Sequence, residues 1–250
     1  MRINKYISHN SKYSRREVDE LIKQGRVTVN KQVVTDMSLQ VDNDDHVYVD
    51  KKAIRRKDKY TVIVYNKPKG ELVTKSDPQG RKTIYDSLPK KYQHFLSVGR
   101  LDFASSGVLL LSDAVDIVHK LSTSKLERVY NLKIKGPITN AMETAMQEGL
   151  ELDDATAGAH KNTKQKAMTF APFYAYKITK NSPTYSKLKV VISEGKNREL
   201  RRFFAHFNAE VADLKRVSFG GVELNALPEG KTRFLETKEY EDLRAFLKLD

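Results

Sequence analysis

Ile3, Tyr6 and Ile7 recur at helical spacing while Arg2 and Lys5 fall off that stripe, which predicts a short helix over 3–9. Ser14-Arg15-Arg16-Glu17 has the form of a capping box, with the Ser14 hydroxyl able to accept from the Glu17 amide and the Glu17 carboxylate reaching back. A second helix is therefore expected from there, with Val18, Leu21 and Ile22 on one face and Gly25 ending it. Val27–Asn30, Val33-Val34 and Val47–Val49 read as short strands, with Asn43-Asp44-Asp45 as the turn before the last. Residues 51–59 are dense in cations and nearly devoid of apolar side chains, the composition of a solvated linker. The expected organisation is a unit over 1–50, a basic linker over 51–59 and a second unit over 60–250.

Beyond the linker the pattern changes. Strand-like runs at 60–65, 95–98, 108–111, 129–135 and 185–193 are interleaved with helix-like runs at 113–121, 139–147 and 197–207. This alternation lacks the regular strand-helix repeat of a doubly wound parallel sheet and predicts an α+β fold with a mixed, mainly antiparallel sheet. In Arg128–Lys135, alternation puts Tyr130, Leu132 and Ile134 on one face and predicts that Tyr130 points inward. In the helix from Asn197, Leu200, Phe203, Phe204 and Phe207 form the core-facing stripe. Asn197 is the expected N-cap; Arg198 is expected to point away from the stripe, and Arg201 to lie at its border, within reach of a cleft.

Charge narrows the range of partners. With 45 Lys and Arg against 32 Asp and Glu, the formal charge is +13, which favours polyanions through counterion release and steering. The absence of Cys excludes disulfides, thiolate nucleophiles and cysteine-ligated zinc. No apolar run approaches the roughly 20 residues that span a bilayer, and the N-terminus has no signal-peptide core, so the chain reads as soluble and cytoplasmic. The six His residues are scattered without an i, i+4 pair suited to a metal. No Gly-rich phosphate loop offers a nucleotide cofactor a home.

Candidate chemistry centres on Gly99-Arg100-Leu101-Asp102, set between two apolar runs and followed by Ser105-Ser106-Gly107. A carboxylate at such a junction is partly desolvated and needs a compensating cation or donors; a capping turn Asp is the plainer alternative. Asn66-Lys67-Pro68-x-Gly70 and Asp77-x-x-Gly80-Arg81 precede this stretch, and Gly195-x-Asn197-Arg198-Glu199-Leu200-Arg201-Arg202 follows it. These four motifs, in this order, resemble the pseudouridine synthases of the branch typified by the small-subunit ribosomal enzyme RsuA and its large-subunit relatives. The first unit, through Arg2-x-Asn4-Lys5-Tyr6, Ser14-Arg15-Arg16 and Gly25-Arg26-Val27-x-Val29-Asn30, resembles the RNA-binding module named after ribosomal protein S-four.

The resemblance implies that Asp102 is the nucleophile, that Tyr130 stacks on uracil and moves a proton, and that Arg201 pairs with the catalytic carboxylate. An Arg beside an Asp favours the ionised acid in a desolvated pocket. It further implies Arg100, Leu214 and Lys67 as substrate-binding residues, and Arg2, Lys5, Arg15, Arg16, Lys23 and Arg26 as RNA contacts of the first unit. The implied reaction converts uridine in RNA to pseudouridine with no cofactor and no metal. Ribosomal RNA, or a ribosomal assembly intermediate, is the expected partner of a monomer, with large-subunit (23S) RNA favoured over small-subunit (16S). A non-catalytic RNA-binding or ribosome-assembly protein is the rival from another class. Phe103, directly after Asp102, departs from the polar residue usual in the family and is left open between core packing and stacking on RNA.

Overall fold

The computed structural model describes residues 1–42, 44–56, 60–160 and 163–248. In the first unit, α1 (Ile3–Asn10) and α2 (Arg15–Lys23) precede four short strands, β1 (Val27–Val29), β2 (Gln32–Val33), β3 (Val47–Val49) and β4 (Lys52–Ile54). The strands form an antiparallel sheet in the order β2-β1-β3-β4. The capping box opens α2 as its sequence predicts, with the Glu17 amide donating to Ser14 Oγ at 3.3 Å and the Ser14 amide to Glu17 Oε2 at 2.6 Å. Ile3, Ile7, Val18, Ile22, Val27 and Val47 close a separate small core. The linker expected over 51–59 starts later than its charge suggests. Lys52–Ile54 is an edge strand: β3 supplies its backbone partners while its lysine stays in water, and a charged side chain does not exclude a strand at an edge. Asn43 of the expected turn and residues 57–59 of the linker lie outside the described residues.

The second unit is built on one large sheet. Its elements are β5 (Val62–Lys67), α3 (Ile84–Ser87), β6 (Leu96–Ser97), β7 (Ser106–Ser112), α4 (Val115–Ser122), β8 (Arg128–Lys135), α5 (Asn140–Glu148), β9 (Leu150–Leu152) and β10 (Met168–Phe170). There follow β11 (Ala175–Lys180), β12 (Tyr185–Ile192), α6 (Glu199–His206), β13 (Val211–Phe219), β14 (Val222–Glu223), β15 (Thr232–Phe234) and α7 (Thr237–Leu247). Strand order is β11-β12-β8-β13-β7-β5-β15, antiparallel except where β13 meets β7. The mixed α+β architecture expected from the sequence is the one observed.

Burial along the strands explains their sequences. β5 and β7 are buried at every position, and their alternate residues belong to two cores: Ile63, Tyr65, Leu109 and Leu111 to one, Val62, Val64, Val108 and Leu110 to the other. Helices α4 and α7 cover the second face through Ile117, Leu121, Leu243 and Leu247. A strand covered on both faces reads as a continuous apolar run, which is why these two are plain in the sequence. β8 and β12 alternate instead, with one face in the core. The long central strand β13 is not signalled by the sequence: Asp213, Lys215 and Arg216 break its apolar pattern, yet Arg216 is buried. Among the described residues, no helix is long and apolar enough to cross a membrane.

Candidate active site

Asp102 sits in the loop between β6 and β7, and that loop is held at many points. Val98 and Leu101 are buried beneath it. Gly99 takes a φ of 66°, turning the chain, and its amide donates to Ser122 Oγ at 3.0 Å. The Ser105 amide donates to the Asp102 carbonyl at 3.0 Å, and the Gly70 amide to the Phe103 carbonyl at 2.8 Å. Lys67, the last residue of β5, completes the frame: its Nζ donates to the carbonyls of Pro68 (2.9 Å), Asp102 (3.2 Å) and Ser105 (3.0 Å).

Lys67 is therefore not the substrate contact that the resemblance implies. Its side chain is fully buried, and its three donors are spent on the loop that carries Asp102. Burial pushes its ammonium down to about 8, against the pull of Glu71 and Asp102. Below that pH the ammonium offers three donors to three carbonyls; above it the amine offers one fewer. The turnover rate is accordingly expected to fall as pH rises through about 8, and Lys67→Met to be slow on both sides with no such limb. A wild-type rate that stays flat across that pH would remove this role from Lys67.

The Asp102 carboxylate is part-exposed and meets two guanidinium groups, each of which comes nearest to Oδ2. Oδ2 lies 3.4 Å from Arg201 Nε and 3.5 Å from Arg198 Nη1. Arg201 is tied into the same loop, donating to the Ala104 carbonyl and to Ser105 Oγ, both at 3.2 Å, and to the Val211 carbonyl at 2.9 Å. Burial pushes this guanidinium down from its ordinary value, and Asp102 is the main influence opposing it. The pairing of Arg201 with Asp102 thus has a geometric basis. Arg198 differs from its sequence-based placement. The helix begins one residue later than expected, so Arg198 rather than Asn197 is the N-cap, with a left-handed backbone (φ 51°, ψ 31°) that turns its side chain towards Asp102. Glu199 folds back to accept from the Lys196 amide at 2.9 Å. Helical-wheel geometry does not place Arg198, because the residue stands outside the regular helix.

The wall and floor of the cleft come from the strands. Tyr130 of β8 is buried and lies in register with Arg216 of β13. Leu214, also on β13, lines the same cleft; Arg100 stands exposed at its mouth. The cleft encloses about 110 Å³. Beneath it, the Phe219 ring lies 5.0 Å from the Arg128 guanidinium and 5.2 Å from that of Arg216. Arg128 donates to the carbonyls of Leu126 (2.8 Å) and Ser193 (2.7 Å), and Arg216 Nε to that of Val108 (2.7 Å). Neither cation is assigned to the site by its sequence motif. The available signal is an arginine at a core-facing strand position, where an apolar residue is the norm. Phe103 is 45% exposed beside Asp102, which excludes the core-packing alternative.

On the first unit, Arg2, Arg15, Arg16, Lys23 and Arg26 are exposed and Lys5 is half-buried. Arg26 is held by both oxygens of Asp50, at 2.7 and 2.5 Å, and Lys23 by Glu20 at 2.7 Å. Glu17 places a carboxylate at the start of α2, beside the exposed Arg15 and Arg16.

A carboxylate fixed between guanidinium groups over a cationic floor, joined to a helical unit studded with positive charge, is the arrangement of an enzyme that acts on a polyanion. Comparison with known proteins makes this specific. The family described as RNA pseudouridylate synthase matches residues 61–206, and the S4 domain matches residues 1–47. An uncharacterized RNA pseudouridine synthase of Helicobacter pylori is 55% identical over 99% of this chain and 95% of its own. The ribosomal large subunit pseudouridine synthase B of Bacillus subtilis is 32% identical, covering 98% of this chain and 96% of its own. A crystal structure of a pseudouridylate synthase aligns with a TM-score of 0.66 at 26% identity, over 97% of this chain and 99% of that one. The chain belongs to the RNA pseudouridine synthase family, carries an S4 domain ahead of the matched region, and is an RNA uridine isomerase.

Proposed function

We propose that this protein isomerises one uridine of large-subunit (23S) ribosomal RNA, with Asp102 as the nucleophile. The observation that carries the chemistry is the Asp102 carboxylate, held at one oxygen by Arg198 and Arg201 and opening into the cleft shared with Tyr130 and Leu214. The full-length similarity to the large-subunit enzyme of Bacillus subtilis supports the choice of RNA. The target nucleotide leaves its stack at a cost of a few kcal/mol, and Arg100 at the mouth fills the gap or holds a flanking phosphate. The ionised carboxylate assists rupture of the bond from ribose C1′ to uracil N1. The freed base turns, C5 bonds to C1′, the C5 proton is lost and N1 ends protonated. Tyr130 stacks on the base and passes the proton; Leu214 packs against it. The exposed guanidinium groups of Arg2, Arg15 and Arg16, with Lys5, Lys23 and Arg26, bind phosphates around the site.

The direct test is release of tritium from ribosomal RNA labelled at C5 of uridine, followed by mapping of the modified position. Release from 23S RNA is the expected result; release from 16S RNA alone corrects the substrate, and release from neither, on naked RNA and on precursor particles, removes the reading. Tyr130→Phe is expected to bind RNA normally and to slow release by about 10²- to 10⁴-fold, the scale of a lost general acid-base group. An unchanged rate in that variant would confine Tyr130 to stacking.

A further inference from the structure

Arg201 alone would suffice to pair with Asp102, yet a second guanidinium approaches the same oxygen, and the chain departs from regular geometry to bring it there. Arg198 adopts a left-handed backbone, which is unfavourable for a residue with a Cβ. Its Nε donates to the Gly158 carbonyl at 2.7 Å, leaving Nη1 aimed at Asp102 Oδ2. Gly158 follows β9 in the chain and lies against α6. It sits against the helix backbone only because residue 158 is glycine: a Cβ there would stand 2.5 Å from the Arg201 carbonyl oxygen and 2.9 Å from the Ala205 Cβ. The fully buried Arg202 fixes the chain on either side, donating to the carbonyls of Ala155 (2.6 Å) and Gln165 (2.9 Å).

As a stability device this construction makes little sense. A part-exposed ion pair at 3.5 Å contributes about as little as the left-handed backbone costs. As a device for orientation it does make sense. The nearest approach of each guanidinium falls on Oδ2. A carboxylate held at one oxygen by a single cation can still swing about its terminal torsion, which is broad for Asp. A second cation, carried by a different side chain, limits that freedom.

We infer that Arg198 is a positioning residue for the reaction, clamping Asp102 Oδ2 so that Oδ1 is the oxygen presented to the target nucleoside, and that the turn at Gly158 serves to hold Arg198 in place. This rests on the proposed role of Asp102. Reaction rates depend steeply on such alignment, and a displacement of about 1 Å costs on the order of 10²-fold.

The test uses the full chain in the tritium-release assay with Arg198→Asn, chosen because Asn tolerates the left-handed region and so keeps the start of α6 while removing the guanidinium. The expected result is a kcat about 10- to 100-fold lower with little change in KM for RNA, partly restored by millimolar free guanidinium. A purely structural role would lower the unfolding temperature and would not respond to added guanidinium. Wild-type kcat in Arg198→Asn, or a loss confined to KM, overturns the inference. Should that variant not fold, Arg198→Lys and Arg198→Gln decide: the lysine variant is expected to turn over several-fold faster, and equal rates overturn the inference. A wild type that releases no tritium from ribosomal RNA overturns the proposed function and this inference together, whereas an active wild type with unaffected Arg198 variants overturns this one alone.

Discussion

Asp102→Asn is expected to abolish tritium release, by on the order of 10⁴-fold or more, the scale on which removing one member of an interdependent catalytic unit acts. The amide is nearly isosteric with the carboxylate, so the loop should keep its shape: its anchors are the Lys67 ammonium, the Gly70 and Ser105 amides and the Arg201 guanidinium, and all of these grip backbone carbonyls. What is lost is the negative charge. An amide cannot serve as nucleophile, and the positive charge of Arg198 and Arg201 goes uncompensated. The cleft then becomes more positive, so affinity for RNA should hold or rise, most visibly at low salt. The measurement pairs tritium release with filter binding of the same RNA. Turnover within tenfold of wild type, about 1.4 kcal/mol of barrier, would show that Asp102 is not the nucleophile. Loss of binding in step with loss of rate would point to a folding defect.

Gly107→Ala is expected to be the most destabilising single-methyl change in the second unit, at ~4 kcal/mol or more, in the range reserved for a steric conflict with no route of relief. Among the described residues, Gly107 is where the only parallel strand pairing of the large sheet is made, opposite Arg216. Its φ of 110° already disfavours a side chain, and a Cβ would stand 2.0 Å from the Arg216 carbonyl oxygen and 2.8 Å from the Arg216 nitrogen. Those are backbone atoms of a central strand, so neither can swing aside. The glycine five residues after Asp102 therefore lets β13 come close enough to set Leu214 and Arg216 at the Asp102 loop. A loss of this size removes a large share of the roughly 5–15 kcal/mol typical of a folded domain. Urea unfolding checks it: a midpoint close to wild type would mean that the sheet can open there at little cost.

Arg201 and Gly107 belong to motifs that are legible in the sequence, and so do the capping box of α2 and the inward face of Tyr130. Each is written in a short stretch of chain: a cap three residues from its partner, alternation along one strand, a stripe along one helix. Lys67 and Arg198 are recognisable as motif members, but their surroundings are not. For Lys67, nothing local signals that the distant carbonyls of Asp102 and Ser105 will join that of the neighbouring Pro68 in enclosing an ammonium. For Arg198, helical periodicity starts one residue too early, and the left-handed N-cap reverses the direction of the side chain. β13 escapes sequence patterning because its charged residues resemble solvent-exposed ones until β7 and β8 are placed on either side.

By itself, the order of residues determined the α+β class, the basic composition and the motifs that resemble the family to which the chain belongs. These follow from local periodicity and short-range chemistry, which neighbouring residues carry between them. The tertiary structure decided which cations meet Asp102, which oxygen they hold, and that the floor of the cleft is cationic. Those outcomes depend on groups far apart in the chain, such as Ala104 and Arg201, and their burial is set by packing that no single segment encodes.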